Sequence, residues 1–559
     1  MLLREEAAVR EGSGGQHALA YRVSLLVLRD YMSSGYYPVV SGSRCLLAPI
    51  LESSALTPAK RRIALQRMYR AARDRALLDR DQFGWMQRTA MALRANGYSA
   101  DGLVLALAAA PPKVVVKQVT SSARIGDARG LWRAVRATWS MGPEMSAPGR
   151  EVAIVVSDER FCGVPLGIAQ FRNVVPEIQA RDQWLGVSSG GDGSGGYLGL
   201  VDSEPREARH RLAQTRDELQ KLLSHVNPDG LEGVDVADAD LSRVAAIIQG
   251  SQARYRAERR EGAPDAHRHL AYVKRAETVS ELTRGIRALT AAIAVEEPTL
   301  WLRQNPRLRR DLDAGLKKLW HYHMGFVAIE MSICGAAPPF GPLRVGKLVA
   351  ALAGSREVVE AWGTERPLGA IASTVFRPDV REAMPNPGPL VIFTSGLYPG
   401  HSAQYNRVSS GLSKWTKIGE TTGFGSFHIG VDTSRAIEDF NTSIDGYARI
   451  TRRFGEGSGA RFRSVGRALG RLGLPDLRKH ETKRPLYALP LVRSPQHVLL
   501  GWDRAEHVER PSAQTLGEDW WQRWVEPRHT DLAGRSMAAD DLLTMLEQIA
   551  KDLRDRSTT

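Results

Sequence analysis

Strand-like sequence in this chain is interrupted by a long block of helical period, and that interruption limits the folds open to it. From Glu151 the texture is apolar and β-branched, with buried-strand runs at 152–156 and 164–169. From Glu204 to about Ala328 apolar residues recur at helical spacing among many charges, in segments 204–226, 241–261 and 266–295. Mixed texture returns at Met331. Strand candidates lie at 369–376, 390–394, 415–419, 427–431, 486–492 and 498–502, with a shorter one earlier at 196–201. Helix candidates lie at 345–362, 435–453 and 460–472. A domain built from both strand-rich stretches must carry the helices as an insertion. The expected fold is therefore α/β, a mixed α+β sheet, with a helical insertion packed as its own bundle.

The flanks read as helix. Thr57-Pro58 opens a basic helix, with Thr57 as cap and Pro58 at the first helical position. An amphipathic helix at 540–553 begins with acidic residues that suit the positive helix start. At 559 residues the chain is too long for one ordinary core, so two to four domains are expected. The boundaries read as a helical N-terminal region 1–115, a first part of the α/β domain 116–203, a helical insertion 204–330, a second part of the α/β domain 331–505, and a helical tail 506–559.

A net charge of +14 calls for a negatively charged partner: nucleic acid, a nucleotide-like cofactor or an acidic protein. Cys45, Cys162 and Cys334 lie far apart and make neither a zinc pattern nor a disulfide framework, as expected in a reducing cytoplasm. The first residues, MLLREEAAVREGSGG, lack a signal peptide's basic flank and apolar core, and no apolar stretch is long enough for a membrane span. A cytoplasmic protein with no membrane contact is expected.

Four constellations could carry chemistry. Gly341, four residues, then Gly346-Lys347 has P-loop spacing, but Leu348 stands where the magnesium-binding hydroxyl belongs. Pro342 also removes a backbone donor. What survives is a helix start carrying Arg344 and Lys347: either a general anion site or an ordinary turn. At 419–428 a Gly-rich turn brings Glu420 and His428 near two strand ends, with Tyr405 and Arg407 in a polar stretch close by; a plain hairpin is the alternative. With Asp182, these are the catalytic candidates, chosen as ionisable or hydrogen-bonding groups beside strand ends. At 452–473, Arg463, Arg467 and Arg471 recur every four residues, and Arg478 and Lys479 follow. That basic helix suits phosphate-backbone contact, or else it is a solvated charged face. His321 and His323 are two apart on a helical period and so do not share a face, and no other cluster has metal-ligand spacing.

Two resemblances add to this. Arg452, Gly455 and Gly457 resemble the R-x-x-G-x-G loop with which GNAT-class acetyltransferases hold the diphosphate of coenzyme A. That resemblance implies a GNAT-like sheet and an anionic cofactor. More extensively, ARDQWLG (180–186), CGAAPPFGPLRVGKLVAAL, WTKIGETTGFGSFHI, RPLYALPL and VLLGW resemble the DruA-like family of the Druantia antiphage defence system, from about Val152 to Trp502. Leu185 departs from the isoleucine usual there. This resemblance implies a role in phage defence beside partner proteins that include a large helicase, and it supplies no chemistry. Three functions are carried forward: a nucleic-acid-binding subunit, a structural adaptor, and an acyltransferase using coenzyme A, with the cofactor otherwise open.

Overall fold

The computed structural model describes residues 16–33, 36–42, 44–49, 107–119, 128–137, 150–161, 164–189, 195–261, 263, 266–337, 340–363, 374–377, 379, 388–396, 404–422, 429–446, 460–478 and 483–528. The helices expected at 58 and at 540–553 lie outside them.

In chain order the elements are α1 (Gln16–Ser33), β1 (Tyr36–Ser41), β2 (Arg44–Pro49), β3 (Val114–Val119), α2 (Ala128–Ala137), β4 (Glu151–Asp158) and β5 (Pro165–Asn173). A helical series follows: α3 (Gln179–Trp184), α4 (Gly196–Val201), α5 (Pro205–Ser224), α6 (Leu241–Arg260), α7 (His267–Ile293), α8 (Pro298–Gln304) and α9 (Pro306–Val327). Then come β6 (Ala328–Ala336), α10 (Val345–Leu352), α11 (Arg356–Trp362), β7 (Val391–Ser395), β8 (Ser409–Ser410), β9 (Ser413–Lys414) and β10 (Thr416–Glu420). The chain closes with α12 (Val431–Asp445), α13 (Ala460–Arg471), β11 (Pro485–Pro490), α14 (Pro495–Leu499) and α15 (Ala513–Trp524).

Seven strands form one sheet in the order β10-β11-β7-β6-β5-β4-β3. Neighbours are antiparallel except β6 and β7, which run parallel over only Ala328↔Val391 to Glu330↔Phe393. β5 and β6 are adjacent in the sheet although α3 to α9 separate them in sequence. The helical series is thus inserted between neighbouring strands, as the interrupted texture required. It is an α/β fold with a mixed sheet.

Alternation sorts the strand residues between two cores. Val391, Phe393 and Ala488 face the inserted helices, with Leu219, Leu282, Leu316 and Trp320. Ile392, Tyr487, Leu489 and Met331 face the other layer, made of α10, α11 and α15. A third cluster joins α1 to α12 and α13 through Leu26, Tyr31, Ile437, Phe440 and Leu469. Among the described residues no helix is long and apolar enough to cross a membrane.

Several expected elements differ. Residues 196–201 are the helix α4, because Tyr197, Leu198 and Val201 bury together at helical spacing. Residues 498–502 fall in α14 and the turn after it, where Gly501 has positive φ. Val431 opens α12 rather than ending a strand, and left-handed Gly446 stops that helix well before 453. The helix expected over 345–362 is two helices, because the Ser355 side chain accepts a hydrogen bond from Val358 N and caps α11. Phe376 makes only an isolated bridge to Val226, beside helical residues 374–375. The N-terminal region contains the hairpin β1–β2, which its helical texture did not suggest.

Within the inserted bundle α7 and α9 cross at Gly285 and Gly315, where a Cβ on Gly285 would lie 3.0 Å from the Gly315 Cα. Gly285→Leu should therefore destabilise the protein by ~1–3 kcal/mol through overpacking. A lowered urea midpoint with an unchanged slope would show it; an unchanged midpoint would mean that the helices separate freely.

Candidate anion-binding site

In open, mostly parallel α/β sheets ligands bind outside the carboxyl ends of the strands; this sheet is antiparallel apart from one parallel pair, β6 and β7. Here that place is the end of the parallel pair. Past Glu330, β6 continues against β5 alone, and its other edge is met by side chains. Thr394 Oγ1 donates to Met331 O at 2.8 Å, and Gln404 Nε2 donates to Cys334 O at 2.8 Å. The chain leaving β6 turns at 341–344 and enters α10.

The start of α10 faces this crevice. No side chain caps it, so the amides of Val345 and Gly346 have no intrahelical acceptor and carry the positive end of the helix dipole. Arg344 sits at the N-cap with φ 60 and ψ 34, a left-handed conformation unusual for a non-glycine residue. Trp520 Nε1 of α15 donates to its carbonyl at 3.2 Å. Lys347, one turn in, is buried, and its Nζ donates to Asn406 O at 2.9 Å. The same Nζ lies 4.5 Å from the Trp524 ring centroid, with Arg344 Cζ at 5.5 Å and Arg523 Cζ at 5.2 Å from that ring. Arg407 completes the group. It is exposed and left-handed, with φ 62.

Arg344 and Arg407 are the two non-glycine residues with positive φ among the described residues, and they share one site. Backbone strain of this kind costs on the order of 1–3 kcal/mol and gathers where a ligand is held. Arg344, Arg407 and Arg523 are exposed, and none of them makes an ion pair with a carboxylate among the described residues. Burial, and then repulsion from Arg344, Arg523 and Arg407, lowers the Lys347 ammonium to about 8. Three exposed arginines without a carboxylate partner among the described residues, around Lys347 and a helix start, form a candidate site for an anion. Arg344, Gly346, Lys347 and Arg407 were candidates from sequence, and the structure brings them together; Gly341 begins the turn. Arg523 and Trp524 were missed, because more than a hundred residues separate them from the turn and their local sequence reads as an ordinary amphipathic helix.

The other candidates have different surroundings. Arg181, fully buried, donates to Val175 O, Pro176 O and Asp182, and stacks 4.7 Å from the Trp320 ring. Trp320 Nε1 also donates to Pro176 O, and Trp184 meets Phe393 edge-on. The ARDQW run thereby locks α3 and the loop before it onto the inserted bundle. Burial pushes the Asp182 carboxyl up and the Arg181 guanidinium down, and their mutual attraction opposes both shifts.

Tyr405 is buried on the opposite face of the sheet from Asp182's helix, with its ring against Trp415 and Tyr487. Asp182 and Tyr405 therefore do not share a site. Glu420 is on the edge strand β10 and pairs with Lys417 at 2.8 Å. His428 lies outside the described residues, as do Arg452, Gly455, Gly457 and Lys479. Cys334 is no ready nucleophile, because burial pushes its thiol up to about 12.

On α13, Arg467 and Arg471 pair with Asp445 of α12 at 3.0 and 2.7 Å, and Arg471 also donates to the Asn441 carbonyl. They knit two helices together. Arg463 is half-buried, and burial lowers its pKa. Arg478 ends a short 3-10 turn, Pro475–Arg478. Among the described residues no group of three His, Cys, Asp or Glu side chains is placed to hold a metal ion.

A family model described as Druantia protein DruA matches residues 314–501. Among curated proteins, the Druantia protein DruA of Escherichia coli (strain UMEA 4076-1) is 29% identical over 203 residues, which is 36% of this chain and 48% of the relative. The chain thus spans about half the length of the curated relative it matches. No solved structure matches it. The matched segment supplies the parallel strand pair together with Arg344, Lys347 and Arg407, and through that segment the chain is DruA-like.

Proposed function

We propose that this chain is a component of a Druantia-type antiphage system, acting beside other proteins of that system, a helicase among them, and associating with nucleic acid through the site at the end of the parallel strands. The relative's printed name supports the link to a Druantia system; the helicase partner rests on the family resemblance alone. One observation carries the nucleic-acid part: Arg344, Arg407 and Arg523, exposed and with no carboxylate partner among the described residues, lie near enough to Lys347 to lower its pKa by repulsion. The net charge of +14 points the same way.

The test is binding of duplex and single-stranded oligonucleotides across a salt series. Four neutralised phosphates would give a slope of log K against log salt of about −3 to −4. Absence of binding at low salt would sink the reading and leave a structural adaptor. Affinity should also fall as pH rises through about 8, because Lys347 carries its charge below that value and loses it above. Bound phosphate would move the loss upward. Arg344, Arg407 and Arg523 stay charged throughout, so binding should weaken without vanishing.

A second reading, acyl transfer from coenzyme A, is favoured by one feature. The anion-ready turn at 341–347 directly follows a central strand, β6, beside the parting of β6 from β7. This placement moves the expected diphosphate site away from Arg452, Gly455 and Gly457. Against it, Gln404 already occupies Cys334 O in that crevice. Titration calorimetry with coenzyme A alone separates the two readings: binding without any affinity for nucleic acid would put the acyltransferase first.

A further inference from the structure

On α13 the arginines at helical spacing are taken up, Arg467 and Arg471 by Asp445. On α6, in the inserted bundle, they are not. This helix carries Arg243, Arg254, Arg256, Arg259 and Arg260 and one acid, Glu258. Glu258 is engaged from α7: His269 Nε2 lies 2.8 Å from its carboxylate and Arg268 Nη2 lies 3.5 Å away. Arg254, Arg256 and Arg260 are exposed, and none of the three makes an ion pair or a side-chain hydrogen bond among the described residues.

Their placement follows from the helical period. α6 lies on α7 by one side, which buries Val244 and half-buries Ile247, Ile248 and Tyr255. Arg256 and Arg260, four residues apart, occupy the opposite side, and Arg254 flanks them. The negative end of the helix dipole favours the cations of the last turn, Arg259 and Arg260. It does not account for Arg254 and Arg256, which precede that turn.

The three guanidiniums are strung along the helix rather than gathered at one point. At 1.5 Å per residue their Cα atoms span ~9 Å of helix axis. A duplex strand offers one charge about every 3.4 Å of its own axis, so a row of this length meets two to three phosphates. The exposed side of α6 also presents no aromatic ring. Tyr255 is half-buried, with its ring 6.1 Å from that of His267. Surfaces that hold single strands stack bases on aromatic side chains, whereas contact with a duplex backbone needs only the charges.

We propose that the exposed side of α6 binds the phosphate backbone of a nucleic-acid duplex, as a second contact besides the site at the parallel strands. The proposal rests on the nucleic-acid reading above and goes beyond it by giving the inserted bundle a share in binding and by naming the form that is bound.

Fluorescence anisotropy across a salt series would be measured on the full chain with a short duplex, made once as DNA and once as RNA, and with one of its single strands. Arg254→Gln combined with Arg256→Gln and Arg260→Gln is expected to flatten the duplex salt slope by about 2–3 and to weaken duplex binding ~10-fold or more. Single-strand binding should change less. All three side chains are exposed, so an unchanged melting temperature is expected to show the fold intact. Duplex binding that is unchanged in the folded triple variant, yet falls in Arg344→Gln combined with Arg523→Gln, would overturn this assignment and leave the proposed function standing. Equal losses for duplex and single strand would overturn duplex recognition. Polyglutamate bound as tightly as duplex, and lost in the same triple variant, would assign the face to an acidic protein instead. Failure of every nucleic acid to bind the parent at low salt would overturn the nucleic-acid reading itself, and the proposal with it.

Discussion

Arg181→Ala is expected to lower stability by about 3–5 kcal/mol, the usual cost of removing one partner from a buried ion pair. Arg181 is fully buried, and its guanidinium joins three things: the carbonyls of Val175 and Pro176, the Asp182 carboxylate, and the face of Trp320. Alanine would leave Asp182 largely buried without its partner and Trp320 without its stacked cation. The loss should appear as a lower urea midpoint, followed by near-ultraviolet circular dichroism of the tryptophans. Asp182→Asn should cost less, because the amide oxygen still accepts from Arg181. If Arg181→Ala is as stable as the parent, the ARDQW run does not hold the bundle to the sheet, and a functional reading of Asp182 regains ground.

The second large effect is expected from Arg344→Glu combined with Arg523→Glu. Removing two phosphate contacts should flatten the salt slope of nucleic-acid binding by about 2. Adding two acids should lower affinity further by repelling the backbone. Stability should hold or rise, since both residues are exposed and Arg344 and Arg523 now repel Lys347. That combination separates a binding role from a structural one. Arg467→Glu offers no such separation, because Arg467 also ties α13 to α12 through Asp445. Nucleic-acid binding unchanged in the folded double variant would remove this site from the proposed function.

Much of the local structure was legible before any coordinates. The strands at 152–156, 164–169, 390–394, 415–419 and 486–492 show as apolar or β-branched runs, and the inserted helices show by their period. Period fails where a segment is short. In 196–201 and 498–502 an apolar run of five or six residues fits a strand or a turn of helix equally well, and only the neighbouring core decides.

For the candidate site, the sequence by itself determined a helix start at 341–347 with Arg344 and Lys347 on it, the missing hydroxyl after Lys347, and the resemblance to the DruA-like family. Each of these is a local pattern. Only the tertiary structure decided that Arg407, Arg523 and Trp524 join that turn, that Asp182 and Tyr405 fall on opposite faces of the sheet, and that Arg467 and Arg471 are taken up by Asp445. The physical reason is the same in each case. Spacing along the chain reports which face of an element a residue occupies, whereas strand order and layer packing determine which faces meet.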